Sequence, residues 1–248
     1  MDNDQDDPAA ATDYQPLYAQ VKALITRRIA TGDWKPGDMI PNEFQLANEY
    51  NVSQGTVRKA LIAIEAERLI VRRQGRGTYV ARHTREHALF HFFRMVDINE
   101  QRPVPTSQAL SQNIVNASQE LAKQLEVEPG TPLYHITRNR SLKASPAIYE
   151  RIYTPVQMMP DLQIEIGKQM VDEMYVIYQE RYGITIAHAS ERVAAIAASA
   201  EDARQLKIAK ATPLLEITRI ARDVSKVAVE LRISRCRSDE FRYAAELN

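Results

Sequence analysis

The run Ile40-Pro-Asn-Glu-Phe-Gln-Leu-Ala-Asn-Glu-Tyr-Asn-Val-Ser-Gln-Gly-Thr-Val-Arg-Lys-Ala-Leu61, followed by Arg72-Arg-Gln-Gly-Arg-Gly-Thr-Tyr-Val80, constrains this chain more than any other feature. Asn42 suits the N-cap of a short helix over Glu43 to Tyr50. Asn51 suits the left-handed turn that would end it. Ser53 then caps a second helix reaching about Glu67, with Val57, Leu61 and Ile64 on one inward face. Strands are expected at Leu69 to Arg73 and Thr78 to Ala81, around a hairpin tip at Gln74 to Gly77. Two helices joined by a tight turn, then a basic hairpin, outline a winged helix-turn-helix. That module lays its second helix in the major groove of duplex DNA.

Charge supports this reading only when taken by segment. The 248 residues carry 32 basic and 32 acidic side chains, a net charge of zero. Residues 15–82 nevertheless hold three Lys and eight Arg against six acids, a net charge of +5. Residues 1–14 hold five acids and no Lys or Arg. Positive charge thus gathers in the segment that would meet phosphate.

The length suits one large domain or two modest ones. No apolar run approaches the roughly 20 residues of a membrane span, so no membrane partner is expected. The acidic start lacks the apolar core of a secretory signal. Cys236 is the single cysteine and has no intrachain partner, so a cytoplasmic location is expected, with the thiol packed.

Residues 1–14 are expected to form a disordered tail, being Asp- and Ala-rich with little to bury. Leu17, Val21, Leu24, Ile25 and Ile29 predict a helix over Pro16 to Thr31, stopped by Gly32. Residues 15–82 form the DNA-binding domain in this division, 83–90 a linker, and 91–248 a second domain. In that second domain, strands are expected at Ser107 to Val115, Leu133 to Ser141, Ala147 to Thr154, Ile184 to Ile196, Pro213 to Arg222 and Val227 to Arg235. Helices are expected at Ser118 to Leu125, Lys168 to Tyr182 and Ser199 to Lys207, with an edge strand at Phe241 to Leu247. The segment Ala117 to Leu133 echoes Ala198 to Leu214, and each copy leads into a strand carrying Thr-Arg, at Thr137-Arg138 and Thr218-Arg219. Two similar halves suggest one pseudo-symmetric α+β domain on an antiparallel sheet.

Arg138 and Arg140 are two residues apart and share one strand face, as do Glu230 and Arg232. Glu150 falls on the strand after Arg138, with Tyr153 near its end. Charges on a covered sheet face need partners. They form either a pocket whose arginines hold an anionic ligand or a set of ion pairs on a solvated face. No nucleophile–base pair, metal motif or phosphate loop stands out, so no cofactor or metal is expected. His83, His87 and His91 recur every four residues, a spacing that on a helix would put them on one face, but they are read as ordinary linker residues.

Taken together, these motifs resemble the GntR family of bacterial transcription regulators, HutC subfamily. The residues that carry the likeness are Pro36-Gly37, Ile40-Pro-x-Glu43, Val52-Ser-x-x-Thr-Val-Arg-x-Ala-Leu61 and Gln74-Gly-x-Gly-Thr-Tyr-Val80. Beyond residue 90, Gly130-Thr-Pro-Leu133, Arg138-x-Arg140, Tyr149-Glu150, Tyr153-x-Pro155, Arg181-Tyr-Gly183, Thr212-Pro-Leu214 and Val229-Glu230 resemble a UTRA effector domain. The resemblance implies a chorismate-lyase-like fold for that half.

It also implies DNA contacts from Ser53, Gln54, Gly55, Thr56 and Arg58, with Arg76 and Gly77 in the wing. It implies effector contacts from Arg138, Arg140, Glu150, Tyr153, Tyr175, Glu230 and Arg232. The partners it implies are a palindromic operator read by a homodimer and a small anionic effector. Phe44 and Gln54 stand where many members carry arginine, and Gln pairs well with adenine. Glu173 stands where sugar-phosphate sensors carry serine, which favours a carboxylate over a phosphate. A lyase-like enzyme and an unregulated architectural DNA binder are the alternative readings.

Overall fold

The computed structural model describes residues 15–84, 86, 92–171 and 173–245. It divides into two compact units, Met1–Ala81 and Arg82–Asn248. The expected tail, most of the expected linker, and His87 and His91 lie outside the described residues.

In the N-terminal unit, α1 (Leu17–Ala30) buries Val21, Ile25 and Ile29. The pair α2 (Glu43–Glu49) and α3 (Gln54–Ala66) follows. Asn42 caps α2 in a reciprocal box with Gln45, at 2.9 and 3.0 Å. Asn51 takes a left-handed φ of 51°, which turns the chain into α3. Val57, Ala60, Leu61 and Ile64 of α3 are buried. Strands β1 (Met39–Ile40), β2 (Ile70–Arg73) and β3 (Gly77–Val80) make a small sheet in the order β1-β3-β2.

The C-terminal unit is built on β5 (Thr106–Asn116), β6 (Pro132–Leu142), β7 (Ser145–Pro155), β8 (Ile186–Ala197), β9 (Pro213–Asp223) and β10 (Ala228–Arg237). They form one antiparallel sheet in the order β5-β6-β7-β10-β9-β8. Helices α4 (Gln119–Leu125) and α6 (Ala200–Leu206) pack on one face. Helix α5 (Met174–Tyr182) and the ribbon of β4 (Met95–Asp97) with β11 (Phe241–Tyr243) cover the other. Among the described residues, no helix is long and apolar enough to cross a membrane.

Two expectations change. The helix expected from Lys168 starts only at Met174, because Ile166 and Gln169 instead bridge to Ala109 and Gln108 on the edge of β5. Gly167, at φ 79°, takes the turn within that segment. Of the expected final strand, Phe241–Tyr243 pairs with β4, not with the main sheet, Ala244 and Ala245 are outside any strand, and residues 246 and 247 lie outside the described residues.

The internal echo is a backbone repeat. Ala117 N donates to Thr131 O at 2.9 Å, as Ala198 N does to Thr212 O at 2.8 Å. The hydroxyls of Thr131 and Thr212 donate to Glu128 O and Ala209 O at 2.7 and 2.8 Å. Glu126 and Lys207 both close their helices in the left-handed conformation. The halves meet where β7 pairs with β10.

Candidate DNA interface and effector site

The start of α3 presents a polar surface. The Ser53 side chain caps the helix by accepting from Thr56 N at 3.2 Å, and the two hydroxyls lie 2.9 Å apart. Gln54, Gly55 and Arg58 are exposed beside them. Arg58 donates through Nε to Glu43 at 2.9 Å, with Nη2 2.8 Å from the same oxygen. The other Glu43 oxygen lies 3.6 Å from Arg72 Nη1, so this carboxylate ties α2 to both α3 and the wing. The Arg58 side chain is 59% exposed even so.

At the wing tip, Arg76 N donates to Arg73 O at 2.9 Å and Tyr79 Oη donates to Arg76 O at 2.9 Å. Gly77 has φ 113°, and a Cβ there would lie 3.2 Å from Met39 Sδ. Arg76 and Gly77 are exposed at this tip.

The second site lies on the sheet face beneath α5. Alternation and register bring Arg138, Arg140, Glu150, Glu230 and Arg232 to this face. Arg138 Nε donates to Glu150 Oε2, and Ser234 Oγ donates to Glu150 Oε1 at 3.0 Å. Arg232 Nη2 donates to Glu230 at 2.9 Å. Tyr175 and Tyr178 of α5 donate to the two oxygens of Glu230 at 3.2 and 2.7 Å.

Tyr153 is not brought to this site. It falls an odd number of residues from Glu150, so its ring points to the opposite face. There it stacks on His135 with centroids 4.6 Å apart, near α4.

Glu173, which the sequence already set against a phosphate, joins the cluster, and Arg219, Phe92 and Phe93 join it without having been expected there. Glu173, the N-cap of α5, accepts from Arg140 Nη2 at 2.8 Å and lies 3.8 Å from Arg138 Nη1. Arg219 pairs with Glu191 and donates to Phe92 O. The repeat held the signal for it, since Thr218-Arg219 matches Thr137-Arg138. Phe92 meets Tyr175 edge-on at 4.9 Å, and Arg140 lies 5.0 Å from the Phe93 ring. No pattern in the sequence marked those two phenylalanines.

Among the described residues the cluster holds four arginines (138, 140, 219, 232) and four glutamates (150, 173, 191, 230), each within 4.0 Å of an opposite charge. Burial disfavours the Glu150 carboxylate, but Arg138, Arg232 and Arg140 outweigh it and hold its carboxyl far below the usual range. Burial, with like charges from Arg138 and Arg232, pushes Arg140 down to about 10 against the pull of Glu173 and Glu150. Burial and Glu230 push the Tyr175 and Tyr178 phenols up, which keeps both as donors. Arg138 Nη2, Arg140 Nε and Arg232 Nε are buried without a hydrogen-bond acceptor. The free volume among these groups is only about 20 and 30 Å³ in two cavities that Phe92 and Phe93 help to line. Small-molecule pockets span roughly 300–1,000 Å³, so both cavities are narrower than such pockets.

Comparison with known proteins agrees with both units. Residues 17–80 match "Bacterial regulatory proteins, gntR family", and residues 100–242 match "UTRA domain". The chain is 30% identical over 207 residues to the mannosyl-D-glycerate transport/metabolism system repressor MngR of Escherichia coli K12, covering 82% of this chain and 84% of that one. It is 27% identical over 242 residues to the "Probable fructoselysine utilization operon transcriptional repressor" of the same strain, covering 94% and 96%. Its fold is shared with the crystal structure of PhnF from Mycobacterium smegmatis, with a TM-score of 0.54 at 24% identity over 92% of this chain and 99% of that one. GntR regulators bind DNA operators and respond to small-molecule effectors. The chain belongs to the GntR family, with an N-terminal winged helix-turn-helix and a C-terminal UTRA domain.

Proposed function

We propose that this chain is a repressor whose operator binding is modulated by a small carboxylate bound in the Arg/Glu cluster. The observation that carries the reading is the set of buried guanidinium N–H groups, on Arg138, Arg140 and Arg232, that have no acceptor. Such donors are costly to leave unpaired, and a carboxylate supplies the acceptors they need. The names of two relatives support this, since mannosyl-D-glycerate and fructoselysine each carry a carboxylate.

In this reading Ser53, Gln54, Gly55, Thr56 and Arg58 meet base edges and phosphates, while Arg76 and Gly77 enter the adjacent minor groove. Arg138, Arg140, Glu150, Tyr175, Glu230 and Arg232 hold the effector. Two copies of the chain bind a palindromic operator in the cytoplasm. The protein acts as a regulator, not as a catalyst. Effector binding changes how the two DNA readers are presented, through residues 83–90.

A thermal-shift screen of small organic acids against the wild type and Arg232→Gln tests the site. An acid that raises the wild-type Tm and loses its effect in the variant is the expected result. An acid that stabilises both proteins equally sinks the assignment.

A further inference from the structure

Glu173 is placed unusually for a helix-capping residue. It occupies the N-cap of α5 in extended backbone, yet its side chain makes no cap hydrogen bond. It turns toward the sheet, is only 7% exposed, and pairs with Arg140 at 2.8 Å and Arg138 at 3.8 Å. The anion that these two arginines would otherwise attract is therefore supplied by the chain itself.

The same balance holds across the cluster, whose four arginines and four glutamates sum to no net charge. Arg94 also lines one of the cavities, but it is partly exposed and water screens it. A phosphorylated ligand would bring about two negative charges into this buried, balanced set. Glu173 would repel it at close range, and the excess charge would lack a counterion. A ligand that carries both signs adds no net charge. Its carboxylate accepts from the unpartnered Arg140 Nε and Arg232 Nε, both in groups that line the cavities. Its cationic group takes the place of an arginine against Glu173.

We propose that Glu173 is the specificity-determining residue of this site. It excludes phosphorylated and other polyanionic effectors and restricts the site to a zwitterion that joins a carboxylate to an ammonium group. The inference rests on the effector reading above and narrows its ligand class.

The test uses the full chain as wild type, Glu173→Gln and Glu173→Ser. Thermal unfolding is followed in sodium sulfate and sodium phosphate, against sodium chloride at equal ionic strength. Wild type is expected to gain nothing from either anion beyond chloride. Both variants are expected to bind sulfate about tenfold more tightly than wild type, since one like charge has left the anion's surroundings. A second arm compares common amino acids with the matching 2-hydroxy acids on the wild type, and stabilisation is expected from the amino acids alone. Wild type that binds sulfate as tightly as the variants, or hydroxy acids that stabilise as well as amino acids, would overturn the proposal. Failure of the effector reading itself shows differently, as a stabilising acid indifferent to Arg232→Gln.

Discussion

Glu150 is tied to Arg138 on β6 and to Ser234 on β10, so one carboxylate links both halves of the C-terminal sheet. Arg138 is fully buried. Removing one partner of such a pair strands the other charge, and Arg138→Ala is expected to cost roughly 3–5 kcal/mol in urea unfolding. A loss within experimental error would mean the pair is better solvated than its burial indicates. The sign of the pH dependence follows from the depressed Glu150 carboxyl. An unperturbed Glu titrates near 4.5, whereas in the folded state Glu150 does so well below that. Above about 4.5 its contribution is complete, and it is lost as pH falls toward the folded value. Stability is therefore expected to decline from about pH 4.5 downward. Glu150→Gln, less stable at pH 7, is expected to show a shallower decline. Equal slopes for the two proteins would remove Glu150 from the account.

At the scale of elements, the caps and turns of the N-terminal unit follow from local chemistry. The Asn42–Gln45 box is expected to contribute about 1 kcal/mol, measured as the loss in Asn42→Ala by denaturant unfolding. Arg58 and Arg76 are expected to separate by role. On a duplex selected from a random pool, Arg58→Ala should cost about 1–3 kcal/mol of affinity, concentrated at one base position. Arg76→Ala should lower the salt slope by about 1 and relax only the preference for A·T over G·C where the wing enters the minor groove. The reverse pattern would exchange their roles.

This unit was legible because its signals are local: Asn42 and Ser53 cap, Asn51 turns, and Val57, Leu61 and Ile64 keep a helical period. The C-terminal unit was legible where the period of two was followed through, as for Arg138 with Arg140. It was misread at Tyr153, whose odd spacing from Glu150 already assigned it to the opposite face. The segment before α5 was misread because its pairing to the edge of β5 is a long-range contact that no local pattern encodes. Phe92 and Phe93 reach the cluster for the same reason, through contacts made only in the folded unit.

For the molecule as a whole, the repeat accounts for the position of the site. Arg138 and Arg219 are equivalent residues of the two halves, and Glu150 and Arg232 lie on β7 and β10, the strands where the halves join. A small unit thereby gathers charges from five strands onto one covered face. α5 adds Glu173, Tyr175 and Tyr178 from above. The central claim joins this cluster to the DNA reader: a ligand held by one changes the affinity of the other. The most direct measurement is fluorescence anisotropy of a labelled duplex, selected from a random pool by the full-length protein. It is titrated with and without a saturating amount of the acid that stabilises the wild type. The account predicts an operator Kd changed by about 5- to 150-fold, a coupling of roughly 1–3 kcal/mol. An operator Kd left unchanged by a compound that saturates the Arg/Glu site would contradict it.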